Sequence, residues 1–154
     1  MEISDSVRSF IEEVGLVFEE TGLPRMSGRL FGWLLIADPH YQSPSELAEI
    51  LQASKGSIST SIKLLLQKGF IERHVIPGSR HDHFRLPEDA IHKLIKHGLE
   101  EEIKMFRTLS ERGLELTKDI PADRKRWLKE MLSRYNYLEK NFPVLLEKYE
   151  HERK

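Results

Sequence analysis

The chain of 154 residues has no cysteine, which excludes disulfides, zinc–thiolate centres and cysteine nucleophiles. It has no long apolar run either. The longest, residues 33–37, falls far short of the roughly 20 residues needed to cross a bilayer. A glycine-rich phosphate loop, a nucleophile elbow and clustered metal ligands are all missing, and His92 and His97 stand five apart, a poor helical pairing for one ion. Neither an enzyme nor a cofactor-bearing protein is expected. The opening MEISDSVRSFIEEVG lacks the basic start and apolar stretch of a secretory signal, so a soluble cytoplasmic protein without membrane contact is predicted. A net charge of −1 argues against a protein that coats nucleic acid indiscriminately.

What the chain does have is charge, at 32% of residues against an average of roughly 25%, which favours long solvated helices over a broad sheet. That charge is unevenly spread. Residues 53–86 carry a net +4 from Lys55, Lys63, Lys68, Arg73, Arg80 and Arg85 against Glu72 and Asp82, leaving −5 for the remainder. Glu2, Asp5, Glu12, Glu13, Glu19 and Glu20 crowd the beginning. A basic segment in an acidic background confines contact with a polyanion to one face.

Apolar spacings of three and four over Val7, Phe10, Ile11, Val14 and Val17/Phe18 predict an amphipathic helix over 6–20, stopped at Thr21-Gly22-Leu23-Pro24. A second helix is expected over 24–37, with Met26, Leu30, Trp33, Leu34 and Ala37 on one side. Ser43-Pro44-Ser45-Glu46 has the N-cap, the first-turn proline and the capping-box glutamate of a short third helix. Ser54 caps a fourth, whose Ile58, Ile62, Leu65 and Leu66 face inward and which Gly69 ends. The pattern then turns β-compatible, with strands over 70–76 and 83–86 joined by 77–82 as a hairpin with a basic tip. A long helix from Pro87-Glu88-Asp89 to about Thr117 follows. Beyond Ile120-Pro121 a last helix carries a heptad-like seam through Leu128, Met131, Tyr135, Leu138, Phe142, Leu145 and Tyr149, which Pro143 should kink or end near Phe142. The expected organisation is an N-terminal supporting helix (1–22), a central domain (23–87) and a C-terminal helical dimerisation region (88–154).

Two short helices, a tight turn and a basic hairpin in this order make a winged helix-turn-helix, mostly α with a small β-hairpin wing. Leu47, Ala48 and Leu51 face inward on the third helix, where Ala48 is small enough to let the fourth cross closely. Opposite Ile58, Ile62 and Leu65, the fourth helix carries Gly56, Ser59, Thr60, Lys63 and Gln67. That face is small, polar and basic, as entry into a major groove about 12 Å wide requires. The expected readers of double-stranded DNA are Lys55, Gly56, Ser57, Ser59, Thr60 and Lys63, with Arg80 on the wing. Candidate phosphate contacts are Arg25, Arg29, Ser43, Ser54 and His81, although Arg25 and Arg29 can equally pair with the acidic first helix. Lys68 belongs to the helix end.

The stretch Gly22-Leu23-Pro24-Arg25-Met26-Ser27-Gly28-Arg29, then Gly32-Trp33-Leu34-Leu35, Ser45-Glu46-Leu47-Ala48, Ser54-Lys55-Gly56-Ser57-Ile58-Ser59-Thr60 and Pro77-Gly78-Ser79-Arg80 resemble the GbsR-type branch of the MarR family. The resemblance covers about residues 5–90 well and the C-terminal helices only in kind. It implies a homodimeric, ligand-responsive transcription regulator, expected here as a repressor on a near-palindromic operator. Many members of the wider family have an aspartate two residues before the wing arginine. Here that place is Gly78, and the acidic residue, Asp82, follows. The resemblance also implies a small effector of the choline or betaine type, which would want an aromatic cage. Trp33, Tyr41, Trp127, Tyr135 and Tyr137 are available, but such residues at helical spacing more often build cores, and no effector residue is assigned.

Two other readings compete. His81 and His83 stand two apart on a strand, with His74 across the hairpin, as a metal-responsive regulator would need, yet no third ligand is evident beside them. A winged helix that docks on protein would carry exposed apolar anchors on the outer face of the fourth helix, where only Leu64 is in question. The dimer follows from the stripe through Ile91, Leu94/Ile95, Leu99, Ile103, Phe106, Leu109 and Leu116, which a winged helix alone cannot bury.

Overall fold

Ser4 starts the first helix, α1 (Asp5–Glu20), by accepting the Val7 N–H at 3.3 Å. The computed structural model describes residues 2–154 as two units, one up to Leu94 and the other from Ile95. In the first unit α1 packs along α2 (Arg25–Leu34). Glycine permits the approach: a Cβ on Gly28 would lie 2.7 Å from Phe18 Cβ and 2.8 Å from Gly15 Cα. The second helix stops three residues before the expected Ala37. The chain leaves the helix after Leu34 through a tightened last turn, with a bond from Ile36 N–H to Trp33 O (3.0 Å).

The next two helices form as their caps predict. In α3 (Pro44–Leu51) Ser43 Oγ accepts the Glu46 N–H at 3.2 Å, and Glu46 Oε2 accepts the Ser43 N–H at 2.7 Å. In α4 (Lys55–Lys68) Ser54 Oγ accepts the Ser57 N–H at 3.1 Å. Gly69, at φ 73°, closes α4 with bonds from its own N–H to Leu66 O (3.1 Å) and from Phe70 N–H to Leu65 O (3.0 Å). This closure draws Phe70 and Ile71 into the core, so the strand expected from residue 70 begins only at Glu72. Phe18, Phe31 and Phe70 meet with ring centroids 5.4–6.5 Å apart, over fully buried Leu47, Ile58 and Leu65. Each such side chain stabilises the unit by about 1.5–3 kcal/mol relative to exposure.

The sheet has three antiparallel strands, β1 (Tyr41–Gln42), β2 (Glu72–His74) and β3 (His83–Arg85), in the order β1–β3–β2. Tyr41 pairs with Arg85, Gln42 with Phe84 and His74 with His83. Two residues are too few to show alternation, so β1 is a strand the sequence does not announce. Gln42 is buried and satisfied: it accepts from Trp33 Nε1 (3.3 Å) and donates to Pro39 O (2.9 Å). Trp33 is therefore a core residue.

A long helix, α5 (Ala90–Leu116), leads into the second unit, where a 3-10 turn (Ala122–Lys125) precedes α6 (Arg126–Arg153). There Phe106 stacks on Tyr135 at 5.1 Å, and Leu128 fills the space a side chain at Gly113 would need. Arg107 Nη1 donates to Glu111 (2.9 Å), while its Nε lies 2.6 Å from Glu139 but off the N–H axis, an ion pair without a hydrogen bond. Pro143 does not end α6. It removes a single backbone donor on an exposed stretch, and the helix continues for another ten residues to Arg153. Among the described residues no helix is long and apolar enough to cross a membrane.

Candidate nucleic-acid interface

The face of α4 is set by what it buries. Ile58, Ser61, Ile62 and Leu65 turn into the core, which leaves Lys55, Gly56, Ser59, Thr60, Lys63 and Gln67 exposed. Ser57 is half-buried in the first turn, its N–H taken by the Ser54 cap. Leu64 is half-buried too, and it is not among the exposed large apolar residues. The Thr60 hydroxyl donates back to Gly56 O at 3.0 Å, which leaves its methyl group and oxygen lone pairs for outside contacts. Space around Gly56 is open: a Cβ there would meet nothing within 4 Å. The first amides of α4 lack helical acceptors and give this end a partial positive charge.

At the wing, Gly78 takes φ 82° in the turn, and Ser79 Oγ accepts the His81 N–H at 3.3 Å. Arg80 is exposed at the tip. Asp82 pairs with Arg73 at 2.8 Å, and Arg73 also lies over the Phe84 ring at 5.5 Å. The acidic residue near the tip thus braces the strands and leaves Arg80 alone. Arg85 pairs with Glu72 at 2.8 Å on the adjacent strand.

The remaining candidates are placed as follows. Arg25 makes a fork on Glu19 (2.8 and 3.0 Å), both half-exposed. This pairing lowers the Glu19 pKa and raises that of Arg25. Arg29 is mostly buried and binds Glu12 (2.7 Å) and Leu51 O (2.9 Å). Ser43 and Ser54 each use their oxygen to cap a helix, and His81 is exposed. Of the wing histidines, His83 Nδ1 lies 3.1 Å from His81 O, and His74 stacks on Tyr41 at 4.7 Å. Among the described residues no group of three or more His, Asp or Glu side chains is placed to hold one metal ion.

Sequence reasoning missed two arrangements. One is the cluster at the root of the wing, where Tyr41 gathers His40 (5.4 Å), His74 and His83 (5.6 Å). Partial burial, then Arg85, His40 and His83, push the His74 pKa down, with Glu72 opposing. The other is the link from Arg29 to Leu51, whose partners are 22 residues apart and share no pattern.

Relatives agree with this architecture. The MarR family model matches residues 21–80, and a model described as MmpR5-like MarR family transcriptional regulator matches residues 89–152. The HTH-type transcriptional regulator MmpR5 of Mycobacterium tuberculosis (strain ATCC 25618 / H37Rv) is 41% identical over 136 residues, covering 86% of this chain and 80% of its own length. A crystal structure of a transcriptional regulator superposes with a TM-score of 0.69 at 39% identity, covering 95% of this chain and 99% of its own. These relatives are regulators, not enzymes. A capped helix-turn-helix with a three-stranded wing sheet, and likeness along nearly all of its length, place the chain in the MarR family of transcriptional regulators.

Proposed function

We propose that the chain is a cytoplasmic, homodimeric, ligand-responsive repressor that reads a near-palindromic site in double-stranded DNA with α4 and the wing. The observation that carries this reading is a division among the cations of the first unit. Arg25, Arg29, Arg73 and Arg85 are all paired with carboxylates. Lys55, Lys63 and Arg80 have no side-chain hydrogen bond or ion pair among the described residues, and the other cations of the unit without one are Lys68, at the far end of α4, and Arg8 on α1. Unpaired cations on one helix face and one wing tip, beside short hydroxyl side chains, match the chemistry of phosphates and base edges.

In this reading Lys55, Gly56, Ser57, Ser59, Thr60 and Lys63 line the major groove and Arg80 meets the minor groove or its phosphates. Ser43, Ser54 and His81 flank them as phosphate contacts. Arg25 joins only by leaving Glu19. The dimer is proposed from the apolar residues that α5 and α6 leave in water, and it would set two copies of α4 about one DNA turn apart. The effector is a small molecule. The GbsR-type resemblance of the first ninety residues makes a quaternary ammonium compound the first to test, and that branch stays a proposal beside the MmpR5-like match of residues 89–152.

Selection of bound duplexes from a random pool tests the proposal, followed by Lys63→Ala and Arg80→Ala on the selected site. A lost base contact weakens binding by about 1–3 kcal/mol, and a lost phosphate contact lowers the salt slope by about 1. Unchanged affinity in both variants would remove the interface as drawn.

A further inference from the structure

We propose that Arg29 is the positioning residue that aims the recognition helix, by fastening α1 to the C-terminus of α3. Its guanidinium spans three segments. Nε donates to Glu12 Oε1 on α1 (2.7 Å), Nη2 donates to Leu51 O at the end of α3 (2.9 Å), and Nη1 lies 3.5 Å from Met26 Sδ on its own helix. The Arg29 side chain is only 16% exposed, against 43% for Glu12. The carbonyl it holds is in the last turn of α3, where helical N–H donors have run out and the helix dipole is negative. A cation there completes the helix end.

That helix end is also the joint of the helix-turn-helix. Gln52, the next residue, stands in the left-handed region at φ 50°, and two residues later Ser54 caps α4. A fixed Leu51 carbonyl fixes the plane of the Leu51–Gln52 peptide, from which the three-residue turn departs. The α1 side is fitted to the same purpose. A Cβ on Gly15 would lie 2.8 Å from Arg29 Cγ, so the missing side chain makes the channel through which the arginine stem crosses α1. Two acceptors on two elements suit the rigid fork of arginine, and a lysine ammonium on a flexible stem does not hold them in register.

The inference rests on the DNA-reading role proposed above, and its test separates the two. Full-length protein, wild type and variants, is titrated with the selected duplex and with a scrambled duplex of equal length and composition, across a salt series, with thermal unfolding alongside. Arg29→Lys is expected to weaken the selected duplex about five- to tenfold while the scrambled duplex stays within about twofold and the salt slope is unchanged. Glu12→Gln, at a half-exposed carboxylate, is expected to move the same ratio in the same direction by less, with little change in unfolding midpoint. Equal losses on both duplexes with a shallower salt slope would make Arg29 a phosphate contact and overturn the proposal. A lowered midpoint with unchanged selectivity would overturn it as well, by making the bridge purely structural. A wild-type protein that prefers no duplex, or a Lys63→Ala variant that binds normally, would sink the DNA-reading role itself and this inference with it.

Discussion

Gly56 shows how a single residue separates folding from recognition. It lies inside α4 with ordinary helical backbone, and no neighbour crowds the place of its missing side chain. Nothing within the chain requires glycine there, and glycine in a helix is destabilising by about 0.5–1 kcal/mol relative to alanine. In the proposed reading, a glycine here lets the DNA surface approach the α4 backbone closely. Gly56→Ala is therefore expected to raise the unfolding free energy by up to about 1 kcal/mol while weakening binding to the selected duplex. A variant that is more stable and binds as well as wild type would show that nothing approaches closely at 56. The outward set around it was legible in the sequence because Ile58, Ile62 and Leu65 fix the rotation of α4. Arg29 was legible only as an alternative, since its partners at 12 and 51 come together through tertiary packing alone.

At the scale of elements, three helices of the first unit end with the same pair of closing bonds. After α1 and α4 the left-handed residue is glycine, Gly22 and Gly69. After α3 it is Gln52, whose N–H reaches Glu49 O at 3.3 Å while Ala53 N–H reaches Ala48 O at 3.0 Å. A non-glycine residue there is strained by roughly 1 kcal/mol. Gln52→Gly is expected to raise stability by about 0.5–1 kcal/mol in denaturant titration, and a loss would mean that the glutamine side chain does more than turn the chain. Helix starts were readable because Ser43, Ser54 and Glu46 act over three residues. Helix ends were harder: α2 stops at Leu34, three residues before the expected Ala37, whereas Pro143 left α6 running.

The wing sheet makes a pH prediction. A histidine with a depressed folded-state pKa binds its proton more readily when unfolded. The stability tied to His74 is thus complete above about pH 6.5 and is lost as pH falls from there through its folded-state value. Thermal midpoints measured on either side of that window should drop more steeply on acidification in wild type than in His74→Gln. Parallel curves would mean that the Tyr41 cluster does not resist the charge.

For the whole molecule, the second unit leaves Leu109, Leu116, Trp127, Tyr137 and Leu145 substantially exposed. Monomeric proteins seldom present so much apolar surface. Sedimentation at micromolar concentration is expected to give a dimer, and Leu109→Glu is expected to weaken it by at least about tenfold, or 1.4 kcal/mol. A wild-type monomer would end the two-fold reading of DNA. The molecule's charges add a kinetic consequence. Lys55, Lys63 and Arg80 begin unpaired, so in the proposed reading they have no carboxylate to release before meeting a phosphate. Arrival at DNA is then expected to be governed by diffusion and by the field of an acidic α1 and a basic α4. Added salt should slow that arrival more than it hastens departure.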